Sequence, residues 1–185
     1  MFYSKIAICC FVTVFFGGIA SQQPDCSLPK SSGNGKDAVQ KFYYNSEWHT
    51  CFGFKYTGKG GNENKFSTYS ECMGKCAPLD GTACSGKSLS KSPLNDPAFD
   101  CDMAKCPKGY KCIYGTRPEC CEAKEYDAFQ AAAADNCPDG SKSGGSNENG
   151  YFTATYGETC NDLVCQKGMK CVQVKKYFAK CCGGK

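Results

Sequence analysis

Cysteine placement limits what this chain can fold into more than any other feature. The sequence holds 18 cysteines in 185 residues. Cys9 and Cys10 lie in an apolar N-terminal run, which leaves 16 beyond it, an even number. A density of that order marks a disulfide scaffold from an oxidising compartment, where cross-links stabilise a chain whose core is small. An even count lets every thiol pair. Zinc sites are usually built from Cys-x2-Cys pairs or several histidines. Here no Cys-x2-Cys occurs and His49 is the only histidine, so neither a metal nor a cofactor is expected.

Residues 1–20 read as a secretory signal. Lys5 supplies the positive start, Ile6 to Phe16 the apolar run, and Gly18-Ile19-Ala20 a small-residue cleavage site. The run is too short for a membrane span. The expected product is secreted and extracellular. It is expected to be a monomer with no membrane span and no nucleic-acid partner. Net charge is +4, a mild balance without the basic stripe that nucleic acid requires.

Phe42 to Cys76 is the most specific stretch. An aromatic strand, Phe42-Tyr43-Tyr44-Asn45, precedes a second that carries Cys51, Phe54 and Tyr56. The two strands, Ala38 to Asn45 and His49 to Tyr56, read as an antiparallel hairpin. Asn64 and Phe66 follow, then a short helix with Cys72 and Cys76 on one face. Thr68-x-x-Glu71 opens that helix as a capping box. Phe42, Tyr44, Phe54 and Phe66 are the candidate core.

From Cys26 to Cys76 these spacings and motifs resemble the Kunitz-type (pancreatic trypsin inhibitor) family. The resemblance implies a twisted antiparallel hairpin with a C-terminal helix, and the bridges Cys26–Cys76 and Cys51–Cys72. In the chain-entropy picture a bridge closing so long a loop is worth about 4 kcal/mol. It also implies an inhibitory reactive loop of Gly35, Lys36, Asp37 and Ala38, with Lys36 as the specificity residue that enters the S1 pocket of a trypsin-like serine protease. Two positions depart from the family. Gly35 and Lys59 stand where a third, loop-tethering bridge normally lies, and Asp37 stands where a small residue is usual. Glycine beside the reactive bond is expected to leave the loop flexible. The alternative is a non-inhibitory extracellular binding or matrix protein built on the same scaffold.

After Cys76 the pattern changes. Cys84, Cys101, Cys106, Cys112, Cys120 and Cys121 form one set; Cys137, Cys160, Cys165, Cys171, Cys181 and Cys182 form a second. Each has the core Cys-x4-Cys-x5-Cys and ends in Cys-Cys. Both share Lys-Gly-x-Lys-Cys, a turn leading into a short strand. Each set can close three internal bridges, in a connectivity that spacing does not choose. These copies resemble lustrin-type cysteine-rich repeats, found beside Kunitz domains in secreted invertebrate proteins.

The fold class expected is therefore small, disulfide-rich α+β, with two cysteine-rich modules of little regular structure after the Kunitz domain. The organisation reads as a signal peptide (1–20), Kunitz domain (21–77), repeat 1 (78–122), Ala-rich linker (123–136) and repeat 2 (137–185). The linker favours helix, and Ser141 to Gly150 reads as a flexible insertion. No enzyme is expected. A Ser-His-Asp or Cys-His site would have to use His49, which sits beside Cys51 at a strand start. No residue is a catalytic candidate.

Overall fold

A computed structural model describes residues 24–183, so the signal-peptide reading of residues 1–20 falls outside the described residues. The N-terminal hairpin pairs β1 (Val39–Asn45) with β2 (Thr50–Tyr56), Phe42 opposite Gly53 and Tyr44 opposite Cys51. The Asn45 side chain accepts from the amides of Glu47 and Trp48, which starts the turn. His49 closes it at φ 53°, so it is a turn residue and not the first residue of the strand.

Helix α1 (Tyr69–Cys76) crosses one face of this hairpin. Thr68 Oγ1 accepts from Glu71 N at 3.0 Å, and Glu71 reaches back to Ser67 N at 2.8 Å. Phe42, Tyr44, Cys51, Phe66 and Cys72 form the core between them. Cys26–Cys76 and Cys51–Cys72 are bridged across it.

The opposite face of the hairpin is also buried. Tyr43, Phe52 and Phe54 point there, into a second core with Trp48, Ala128, Ala132, Tyr156 and Phe178. Phe52 stacks on Phe178 with ring centroids 5.5 Å apart and planes 6° from parallel. Expected core residue Phe54 belongs to this second core. Burial on both faces explains why the strands carry runs of apolar residues and not an alternation.

The covering residues come from the C-terminal region. Strands β3 (Tyr110–Tyr114) and β4 (Pro118–Glu122) form a hairpin. Helix α2 (Ala123–Ala133) follows directly and packs Ala128 and Ala132 into the second core, so this stretch is structural and not a free spacer. The hairpin β5 (Gly145–Glu148) and β6 (Tyr151–Ala154) comes next. Last comes a sheet in the order β7 (Tyr156–Gly157), β9 (Phe178–Cys182), β8 (Lys170–Lys175). Asn149 and Gly150, both at positive φ, make a tight turn where sequence suggested a flexible insertion. The Asn-Gly pair was the legible signal for it.

The two cysteine sets share one connectivity: first to sixth, second to fourth, third to fifth. It is Cys84–Cys121, Cys101–Cys112 and Cys106–Cys120 in one, and Cys137–Cys182, Cys160–Cys171 and Cys165–Cys181 in the other. Each closes on an equivalent hairpin, with Cys112 opposite Cys120 and Cys171 opposite Cys181.

Two buried charges tie distant elements together. Lys180 on β9 is fully buried, and its ammonium donates to the carbonyls of Ala131, Ala134 and Asn136 at the end of α2. The helix has no basic residue in its own last turn, so a strand supplies the cation there. Burial lowers this ammonium to about 8, against the opposing charge of Asp135.

Glu148, at the end of β5, accepts from Tyr69 N at 3.3 Å and Ser70 N at 2.7 Å, the free amides at the start of α1. Burial alone would raise its pKa, yet the hydrogen bonds from Ser70, Ser146 and Tyr69 bring it below the usual carboxylate value of 4.5. A carboxylate lowered in the folded state stabilises fully above the unfolded value and is lost as pH falls through the folded one. Glu148→Gln should therefore cost about 1 kcal/mol at neutral pH. The difference from wild type should shrink as pH falls below about 4.5, the ordinary value. Urea unfolding at both pH values measures this; a difference that grows with acidity contradicts it.

Candidate functional site

The candidate site is the segment from Ser32 to Ala38, which lies against residues 57–59. Lys36, Asp37 and Ala38 are exposed, and Gly35 is half-buried. The backbone on both sides of Lys36 is pinned. Thr57 N donates to Ser32 O and Asn34 N to Lys59 O, both at 2.9 Å; Asp37 N donates to Thr57 O at 3.2 Å. The Thr57 hydroxyl donates to Ser32 O at 2.8 Å and accepts from Gly35 N at 2.9 Å.

Glycine at 35 is therefore not a source of slack. A Cβ placed there would meet Thr57 O at 1.9 Å, so the two segments approach this closely only because the side chain is missing. The expected flexible loop is instead a hydrogen-bonded one. The missing-bridge positions Gly35 and Lys59 put residue 59 beside the loop, but nothing in that pattern singled out Thr57 as the residue holding it. The signal was a hydroxyl residue two positions before Lys59, where a bridge is lacking.

Gly35→Ala tests this directly. The added methyl must push residue 57 away, breaking the contacts of Gly35 and Asp37. We expect a loss of about 2 kcal/mol in unfolding free energy, together with faster amide exchange at Asp37. An unchanged midpoint and unchanged exchange would show that the approach is looser than 1.9 Å implies.

Asn64, fully buried, ties the hairpin to the chain ahead of the loop. Its Oδ1 accepts from Tyr44 N, and its Nδ2 donates to Tyr44 O and Leu28 O. Tyr56 donates to Gly60 O at 2.7 Å, and Lys65 lies over the Tyr56 ring at 4.0 Å. Lys36 makes no hydrogen bond or ion pair among the described residues, so its cation is free to meet a partner.

His49 stands apart in the β1–β2 turn. Among the described residues no group of three or more His, Cys, Asp or Glu could hold a metal ion. None of their helices is long and apolar enough to cross a membrane. A rigid loop presenting one cation can engage another protein's pocket.

Residues 25–77 match the Kunitz/Bovine pancreatic trypsin inhibitor domain. "Tabkunin 2" of Tabanus yao is 45% identical over 74 residues, covering 40% of this chain and 95% of its own length. "Kunitz-type serine protease inhibitor textilinin-4" of Pseudonaja textilis textilis is 48% identical over 52 residues, covering 28% of this chain and 63% of its own. "Major allergen Ani s 1" of Anisakis simplex is 29% identical over 175 residues and covers 88% of both chains, the cysteine-rich part included.

Proposed function

We propose that this chain, which belongs to the Kunitz/bovine pancreatic trypsin inhibitor family through residues 25–77, is a secreted monomeric inhibitor of a trypsin-like serine protease. The observation that carries the reading is the exposed Lys36 at the crown of a loop whose backbone is pinned on both sides by residues 57 and 59. Lys36 enters the S1 pocket and pairs with an acid at its floor. Gly35, Asp37 and Ala38 lie along the enzyme's cleft. A loop already held in shape loses little entropy on binding, which is how such a substrate-like segment binds tightly and leaves slowly. The eight bridges among the described residues support an extracellular setting. The units 78–122 and 137–185, joined through 123–136, are read as lustrin-type repeats that support the N-terminal one.

Asp37 favours a second reading. Its charge and bulk follow the reactive residue directly, where a protease cleft accepts small side chains. A binding module directed at another extracellular protein would tolerate it. Titration of the purified protein against a panel of trypsin-like and chymotrypsin-like proteases, with mass spectrometry of the products, separates the two. Stoichiometric inhibition of trypsin-like members, with slow cleavage only after Lys36, supports the inhibitor. Neither inhibition nor cleavage supports the binding module.

A further inference from the structure

Both ends of the reactive loop run to one short segment of the C-terminal module. Before the loop, the Lys30 ammonium meets Asp162 Oδ1 at 2.5 Å and Glu158 at 3.2 Å. After it, the Gln40 side chain accepts from Val164 N at 2.8 Å, while its Nε2 donates to Phe54 O at 3.1 Å and approaches Asp162 O at 3.4 Å. Residues 30 and 40 flank Lys36, and their partners 162 and 164 are two residues apart.

That segment is itself fixed. Asp162 Oδ2 accepts from the Thr159 amide at 3.0 Å and from its hydroxyl at 2.9 Å. Leu163 is buried against Ala179 and Cys181. The bridges Cys160–Cys171 and Cys165–Cys181 close the frame on either side. Burial alone would lower the Lys30 pKa, but Asp162 and Glu158 hold it above its ordinary value, so the ammonium stays charged at neutral pH.

We propose that residues 162–164 of the C-terminal module are a brace that positions the reactive loop, holding its two stems from outside the domain where no loop disulfide holds it from within. Lys30 and Gln40 are positioning residues and do not touch the protease. The effect on inhibition rests on the reading of Lys36 above; the ordering of the loop does not. The brace gives the second cysteine-rich unit a role in inhibition: a partner meets a loop already ordered, and the entropy of ordering it is not charged to binding. It also resists hydrolysis, because a cleaved loop whose stems stay fixed keeps its new ends together for religation.

The test uses full-length protein and two variants, Lys30→Met and Asp162→Asn. Lys30→Met leaves the Thr159–Asp162 turn intact, so it separates the brace from any folding defect of that turn. Amide exchange is followed without protease at Gly35 and Asp37, with Phe42 and Tyr44 as references inside the hairpin. Inhibition of trypsin and cleavage after Lys36 are then measured. We expect each variant to speed exchange at Asp37 about tenfold relative to the references, and to weaken inhibition and hasten cleavage about tenfold. Unchanged exchange at Asp37, or an equal rise at all four amides, overturns the brace. Faster loop exchange in a protein that inhibits no protease upholds the brace and overturns the protease reading instead.

Discussion

Lys36→Ala is expected to weaken inhibition of a trypsin-like protease by about a hundredfold or more, equivalent to about 3 kcal/mol. One long cation at the centre of a protease interface is the kind of contact that dominates binding, because the pocket it fills is desolvated and its acidic partner is left unpaired when it is removed. The side chain is exposed and makes no hydrogen bond or ion pair among the described residues, so stability should not move. That separation makes the result readable: the inhibition constant changes and the unfolding midpoint stays. Lys36→Arg should retain most of the inhibition, since the pocket still receives a cation. Inhibition by Lys36→Ala equal to wild type would mean that another surface binds the protease.

The second large effect lies far from the loop. Phe178→Ala should cost about 3–5 kcal/mol, the usual range for emptying a well-packed aromatic site. Phe178 is fully buried. Its ring lies 4.9 Å from Trp48, 5.5 Å from Phe52 and 5.9 Å from Tyr156. It therefore fills the joint between the N-terminal hairpin and the C-terminal sheet. Trp48 is the only tryptophan, 1% exposed, and it reports on this joint alone. Its emission should shift to the red in the variant, with the unfolding midpoint falling in parallel. The fully exposed Leu79 offers a control, for Leu79→Ala should change neither signal. A variant with native Trp48 emission and an unchanged midpoint would mean that the two halves do not share a core.

The features whose causes are local, or are written in spacing, were legible from the residues alone. Thr68 and Glu71 marked the start of α1, and Lys-Gly-x-Lys-Cys marked two turns, with Gly109 and Gly168 at φ 86° and 89°. The register from Cys26 to Cys76 carried the hairpin-and-helix fold, and with it the place of Lys36. The tertiary structure alone decided which of the possible connectivities joins each set of six cysteines, because spacing constrains reach and not direction. It alone decided that Gly35 is held and not loose, since that depends on Thr57 across the loop. It also supplied the partners of Phe52, Ser70 and Lys30. These are Phe178, Glu148 and Asp162, the last two 78 and 132 residues along the chain. Runs such as Phe42-Tyr43-Tyr44 tell a reader that both faces of a strand want cover. They do not say what provides it, because burial is non-directional and many surfaces would satisfy it. Only close packing and paired charges, which require shape and position, pick the one that does.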